Sequence, residues 1–160
     1  MKNAAKVLAN NFPTFRASLK HLESDVLVGV PAEYGARKDE GAMNNATLAY
    51  IHDNGSPAAN IPARPFMQPG IEAGRERISK LLEQGARAAM YGNAGSVEQA
   101  LQKAGLVAQA NIRAAINSGL PPALAPSTLA ARKARGRTGE KPLVDTGQLR
   151  NSINYVVRAK

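Results

Sequence analysis

Apolar residues recur every three or four positions along three stretches of the chain, which is the spacing of one face of an α-helix. These stretches cover residues 3–23, 69–91 and 96–118. Pro13 interrupts the first stretch, so that helix is expected to kink there or to divide in two. The third stretch begins at Ser96 with a capping-box pattern and carries mostly alanine on its apolar face. The pattern therefore predicts long amphipathic helices, the last of which another helix can approach closely.

Two short runs instead predict β-strands. Residues 25–30 alternate valine with leucine and glycine and end before Pro31, and residues 152–158 form a second run near the C-terminus. So few strands can form only a small sheet. The expected fold class is α+β, with a small antiparallel sheet packed with several helices. We expect residues 1–160 to form a single compact domain with extended loops.

Shorter elements fill the remaining chain. Residues 45–53 and 128–135 predict two short helices, the second of them basic. Residues 33–44 and 136–142 predict loops, the second of them mobile. Glycine, asparagine and proline stand at the boundaries of the short helices, as is typical of helix ends.

Residues 55–69 form a proline-rich arm that includes Pro57, Pro62 and Pro65. The residue before each proline is driven towards extended geometry. Proline also lacks the backbone N–H group that a central strand must donate. We therefore expect an extended arm at this place, rather than a regular helix or a central strand.

The composition supports a packed core and excludes several kinds of site. Hydrophobic residues make up 44% of the chain, although aromatic residues make up only 4%. The absence of cysteine excludes a disulfide scaffold, a thiolate zinc site and a cysteine nucleophile. No apolar run approaches the roughly 20 residues of a membrane helix, and the N-terminus lacks the apolar region of a signal peptide. We expect no membrane partner.

Basic residues outnumber acidic ones by 21 to 12, which gives a formal net charge of +9. Residues 126–160 alone hold 8 basic and 2 acidic residues. The densest part is a basic loop at residues 132–142, whose cations are Arg132, Lys133, Arg135, Arg137 and Lys141. These side chains either contact DNA phosphates or an acidic partner, or form a solvated flexible loop. Because no aromatic residues are interleaved for stacking, any DNA contact is expected through the phosphate backbone.

No residue cluster points to catalysis. The chain has two histidines, His21 and His52, and His52 adjoins Asp53, but such a lone pair is more typical of a structural or solvated position than of a base or ligand. The glycine-rich motifs that bind nucleotide phosphates are absent. We expect no enzymatic activity, no metal and no cofactor.

The triplet Asp145-Thr146-Gly147 looks like the active-site turn of aspartic proteases, in which two carboxylates share a proton. Only 13 residues follow the triplet, which is too few for the rest of such a protease. We therefore interpret it as a structural turn, in which Asp145 or Thr146 caps a helix and Gly147 supplies a positive φ.

Two sequence blocks resemble a known protein family. The first reads AYIHDNGSP at residues 49–57 and IPARPFMQP at residues 61–69, and the second reads KPLVDTGQLRNSI at residues 141–153. Together they cover about a fifth of the chain. In this order they resemble the small virion morphogenesis proteins of tailed phages, which are called minor tail, tail-completion or head–tail joining (neck) proteins. That family often has glutamate before the glycine of the first block, where this chain has Asp53 and Asn54.

The resemblance implies a structural, non-enzymatic role in the virion, at the head–tail interface, with assembly in the host cytoplasm. It implies an α+β body that completes the tail and joins it to the head connector within a ring, commonly of six copies. The implied partners are further copies of the chain, the tail tube or tail terminator, the head-connector proteins and duplex genomic DNA through phosphate contacts. The alternative function is that of a sequence-independent DNA-binding protein that acts through its basic C-terminal region.

The proline-rich arm is the expected oligomer or partner interface, because a stiffened segment loses less entropy when it docks. The residues expected at this interface are Ile61, Arg64, Phe66 and Met67. The alternative is that Phe66 packs within its own chain, at the start of the following helix. The second block is expected to fix a sharp transition from loop to strand, with direct contact to a partner as the alternative.

Overall fold

The computed structural model describes Pro13, Arg16 and residues 23–32, 43–93 and 95–159. Its regular elements in chain order are β1 (Ser24–Gly29), α1 (Asn45–Asn54), a 3-10 turn (Pro57–Ala59), α2 (Met67–Met90), α3 (Gly95–Asn117), α4 (Pro126–Ala134), α5 (Gln148–Ser152) and β2 (Asn154–Ala159). β1 and β2 pair as a two-stranded antiparallel sheet. The predicted α+β fold class is therefore confirmed.

The element predictions are largely confirmed. Both strands lie within two residues of their expected positions, and α1 to α4 occupy the four stretches in which helices were predicted after the first strand. The helix predicted over residues 3–23 lies outside the described residues except at isolated positions, as does most of the loop predicted over residues 33–44.

The described chain divides into two compact units, each with its own apolar cluster. Beside Pro13 and Arg16, the first unit contains residues 23–27, 75–93, 95–107 and 155–159, and the second contains residues 28–32, 43–74 and 108–154. The boundaries between the units fall within α2, α3 and both strands. That the whole chain acts as one domain stays a prediction.

Small residues allow α2 and α3 to approach closely in the first unit. A Cβ atom added to Gly85 of α2 would collide with the Ala100 side chain of α3. Ala89 and Ala104 are buried as well, so the alanine face predicted for α3 is a packing face. Ser96 lies in the first turn of α3, and its hydroxyl hydrogen is shared between the Gly85 carbonyl of α2 and the Asn93 carbonyl in the connection between the helices.

Large side chains fill the second unit. The four largest fully buried side chains of the described chain belong to it, and they are Phe66, Ile112, Ile116 and Ile153. A Cβ atom added to Gly70 would lie only 2.6 Å from the Ile112 Cα atom, so the start of α2 packs directly on the backbone of α3. Leu149 of α5 and Ala49 of α1 complete the buried cluster. This cluster fixes the two sequence blocks relative to each other.

The proline-rich arm is folded back on itself rather than extended throughout. Pro57 begins the 3-10 turn, Asn60 adopts left-handed dihedral angles (φ 53°, ψ 37°), and Ser56 and Ile61 form an antiparallel bridge across the turn. The expected extended arm is therefore corrected to a tight hairpin at this place, because the φ of proline also fits the first position of a turn. Residues 62–66 lie outside regular structure, as predicted.

Candidate functional site

Asp53, in the first sequence block, ties the end of α1 to the start of α2. Its Oδ1 atom accepts hydrogen bonds from the backbone N–H groups of Phe66, at 2.7 Å, and Met67, at 3.0 Å. The His52 carbonyl accepts another from the Arg64 N–H group, at 2.8 Å. A carboxylate suits this position because the first N–H groups of a helix have no partner within the helix. Asp53 is thus a structural residue.

The second block makes a sharp turn into α5 and continues into β2. Gly147 precedes α5 with a φ of 76°, which glycine adopts without strain. The Thr146 Oγ1 atom accepts a weak hydrogen bond from the Gln148 N–H group, at 3.4 Å. Of the two caps expected from the sequence, Asp145 or Thr146, Asp145 does not cap the helix; its carboxylate accepts a hydrogen bond from the Arg137 guanidinium, at 2.5 Å. The turn therefore depends on the positive φ of Gly147 and on the ion pair between Arg137 and Asp145, rather than on an aspartate cap.

Arg132 is buried and holds the loop that follows α4. The two hydrogens of its Nη1 atom are shared among three carbonyl oxygens, those of Gly139, at 2.7 Å, Lys141, at 3.0 Å, and Val144, at 3.1 Å. Its Nε atom lies 3.7 Å from the Asp145 carboxylate. Arg132 is one of the cations expected from the sequence to contact DNA or an acidic partner. The structure corrects this, because a guanidinium that bonds three loop carbonyls is committed to the fold.

The other four cations of the basic loop divide into two pairs. Arg137 is bonded to the turn carboxylate described above, and the Lys141 Nζ atom donates to the Asn117 carbonyl, at 3.0 Å. Lys133 and Arg135 are exposed, and their side chains have no partner in the part of the chain that the structure describes. The basic loop therefore leaves two fully uncommitted cations.

The two sequence blocks meet around one pocket of the second unit, although residues 70–140 separate them in the sequence. α1 of the first block packs against α5 of the second. The pocket beside these helices has a volume of about 290 Å³. Its lining residues are Leu48, His52, Arg64, Leu124, Thr128, Ala131, Arg132, Arg135, Leu143, Asp145, Thr146, Gly147, Gln148 and Leu149. Both blocks thus contribute to a single concave site.

Cations outnumber acids in this pocket. Arg64 is buried, and it donates hydrogen bonds to the backbone carbonyls of Pro122, at 2.9 Å, and Ala123, at 3.2 Å. These partners are dipoles rather than carboxylates, so they leave the charge of Arg64 uncompensated. Arg135 also lines the pocket, and the acid in the lining, Asp145, is already paired. The site therefore favours an anionic group.

Two buried polar atoms of the pocket have no hydrogen-bond partner among the described residues. They are the Nδ1 atom of His52 and the Oε1 atom of Gln148. Burial lowers the pKa of His52, and the nearby Arg64 cation lowers it further, so the imidazole is neutral at pH 7. Unpaired buried polar atoms cost free energy, so these two atoms destabilise the pocket wall unless a water or a bound molecule reaches them. The arrangement is suited to binding.

His52 and Asp145 stand out in the sequence, but nothing in the sequence groups them with Arg64 and Gln148. The signal that could have grouped them is their membership of the two blocks. Neither spacing nor periodicity shows that the blocks touch, since the contact depends on the packing of α1 on α5.

The four residues expected at a partner interface lie in different environments. Phe66 is fully buried in the apolar cluster of its own unit. Arg64, two residues earlier, is also buried. Met67 is partly buried against the same cluster, and Ile61 is partly buried in the hairpin. The structure thus favours the intrachain alternative for Phe66. The expected interface role of Ile61 and Met67 stays a prediction.

Within the described residues, no three histidine, aspartate or glutamate side chains lie close enough together to hold a metal ion. A search of the helices in these same residues finds none with the length and hydropathy needed to cross a membrane.

Comparisons with known proteins do not assign the chain to a family. No protein-family model matches the chain, and no solved structure matches it. A stretch of 41 residues is 42% identical to part of an uncharacterized protein of Methanocaldococcus jannaschii. The match covers 26% of this chain and 30% of the length of that protein. The resemblance to phage virion proteins therefore stays a prediction.

Proposed function

We propose that this chain is a structural virion protein that completes a phage tail and joins it to the head connector, without catalysis. The observation that carries the proposal is the meeting of both sequence blocks around one pocket. The resemblance to the phage proteins rests on these same blocks, which are far apart in the sequence. Their contact makes them parts of one site rather than two separate short matches.

In this proposal the chain acts within a homo-oligomeric ring, for which the resemblance implies six copies, and contacts the tail tube or terminator and the head connector. Several large apolar side chains are available for such contacts. Tyr50, within the first block, is 70% exposed, and Tyr91 is 86% exposed. Aromatic side chains are enriched at protein interfaces, where one end remains polar.

The DNA-binding alternative has less support. It depends on the basic loop, in which Arg132 is buried and Arg137 is paired with a carboxylate. Lys133, Arg135 and Lys141 remain exposed and without a carboxylate partner among the described residues, and three cations release few counterions from a duplex. A protein partner with an acidic surface fits this loop better than the DNA backbone does.

Electron microscopy of particles assembled without this protein tests the proposed role. We expect DNA-filled heads and free tails that fail to join, and we expect joining to return when the purified protein is added. Intact, infectious particles formed in its absence would overturn the proposal.

A binding titration with duplex DNA tests the alternative. We expect no measurable binding near physiological salt. Micromolar or tighter affinity that falls steeply with the logarithm of the salt concentration would favour the DNA-binding function. The Lys133→Glu, Arg135→Glu double variant is the control, because it reverses the two uncommitted charges and would abolish such binding.

A further inference from the structure

We propose that the pocket lined by α1, α4 and α5 binds one carboxylate side chain of a partner protein. In the partner, this acidic residue lies in an extended segment and has an apolar residue on each side. The pocket lies within the second unit, and all of its lining comes from that unit. The proposal concerns ligand chemistry and does not require the virion role.

The charge balance selects an anion. Arg64 and Arg135 line the pocket without a carboxylate partner among the described residues, whereas the lining cation Arg132 lies 3.7 Å from the lining acid Asp145, which is also paired with Arg137. Arg64 is 6% exposed, and within the described part of the chain its side chain bonds to backbone carbonyls rather than to a carboxylate. A buried cation without a carboxylate partner gains when an anion enters its surroundings, because the local dielectric constant is low.

The unpartnered atoms select a group that offers hydrogen bonds as well as charge. Gln148 Oε1 is an acceptor that needs an N–H group, and a peptide backbone supplies one. Neutral His52 carries its proton on one ring nitrogen, and with the proton on Nδ1 it donates to a carboxylate oxygen. A peptide that carries an acidic side chain provides both partners at once.

The apolar walls distinguish a peptide from a free inorganic anion. Leucines line much of the pocket, and they are Leu48, Leu124, Leu143 and Leu149. A phosphate ion would reach the cations but would leave these walls in contact with water. A glutamate side chain with apolar neighbours covers the walls and places its carboxylate near Arg135. A volume of about 290 Å³ is large enough for such a side chain.

The test is a titration of the full chain with a blocked tripeptide that has glutamate between two leucines, followed by NMR of the His52 imidazole and the Gln148 side-chain amide. We expect saturable shifts of both signals. The same tripeptide with glutamine at the centre should bind about tenfold more weakly or worse, because it lacks the charge. Equal affinity for the two peptides, or an unchanged His52 signal at saturation, would overturn the proposal.

Arg135→Ala and Lys133→Ala form a matched pair of variants. Both remove one exposed charge from neighbouring positions, but Arg135 lines the pocket and Lys133 does not. We expect Arg135→Ala to weaken binding of the glutamate peptide about tenfold and Lys133→Ala to change it less than twofold. Equal losses in the two variants would show a diffuse charge effect and contradict the proposal.

Two further measurements separate other occupants from the proposed one. Inorganic phosphate that shifts the His52 signal at the same concentrations as the glutamate peptide would show a simple anion site and overturn the peptide proposal. Sedimentation without peptide should show no self-association that depends on Arg135. Self-association that depends on Arg135 would mean that a second copy of this chain occupies the pocket, and the proposal would fail. Neither result bears on whether heads and tails join, so this proposal can fail independently of the proposed function.

Discussion

The two units of this protein bury their surfaces by different means. In the first unit, glycine and alanine let α2 and α3 approach closely, and the cluster around Ala89 is small. In the second unit, large apolar side chains surround Phe66, and buried arginines bond to loop carbonyls. The first unit thus depends on contacts between small residues, whereas the second depends mainly on large buried apolar side chains and on arginine–carbonyl hydrogen bonds. The pocket of the candidate site lies in the second unit, which also contains the buried arginines Arg64 and Arg132.

The largest expected effect comes from removing volume in the second unit. Phe66→Ala should lower the free energy of unfolding by about 3–5 kcal/mol, because it empties a fully buried position. Urea denaturation followed by circular dichroism measures the change. Met90→Ala is the control, since Met90 is 53% exposed and should cost little. A loss below about 1 kcal/mol for Phe66→Ala would mean that this side chain does not organise the cluster.

Removing the buried cation should have the next largest effect. Arg132→Met keeps an apolar stem but leaves three loop carbonyls without a donor, so we expect a loss of about 2–3 kcal/mol. Lys133→Met is the matched control on the same helix, because Lys133 is exposed. Equal unfolding midpoints for the two variants in urea would contradict the assignment of Arg132 to the fold.

Steric fit in the first unit is tested by Gly85→Ala. An alanine normally stabilises a helix interior by about 1 kcal/mol relative to glycine. Here the added methyl group would collide with Ala100 and lie 3.0 Å from the Ser96 carbonyl oxygen, so we expect a net loss of about 1–2 kcal/mol. Gly95→Ala, where the nearest atom is 4.0 Å away, should be neutral or stabilising. A Gly85→Ala protein that is more stable than the parent would exclude close helix contact at this point.

The smallest expected effect is a pH dependence that arises at His52. Because the folded state lowers its pKa below 6.5, the unfolded state binds the proton more tightly. This contribution to stability is therefore full above pH 6.5, declines as the pH falls below that value, and is lost once the pH is below the folded pKa. His52→Gln should reduce the dependence of the thermal unfolding midpoint on pH between pH 7.5 and 5. His21 is present in both proteins, so an unchanged slope would exclude His52 as its source.

Periodicity predicted the elements of this fold well because α2 and α3 are long and strongly amphipathic. The hairpin at Pro57 was missed because proline fits both an extended arm and the first position of a turn. The choice between them depends on the Ser56–Ile61 bridge, which is a contact rather than a local preference. Local preferences therefore located the arm but could not give its shape.

The candidate site was less predictable than the elements. The cations of the basic loop look equivalent in the sequence, yet Arg132 is buried and Arg135 is exposed. Which of them faces inward depends on where α4 packs and where the following loop returns. In the same way, Asp145 has the sequence signature of a cap, but the approach of Arg137 gives its carboxylate a stronger partner.

The hairpin that contains Pro57 lies between Asp53 and Phe66. The hydrogen bonds from the Phe66 and Met67 N–H groups to Asp53 join the two ends of this segment. A loop whose ends are clamped tolerates extra length, since doubling its length costs only about 0.6 kcal/mol of closure entropy. The tip at residues 58–60 is exposed. A short epitope tag inserted there would show whether a partner covers this part of the arm in an assembled particle, because a covered tag does not bind its antibody.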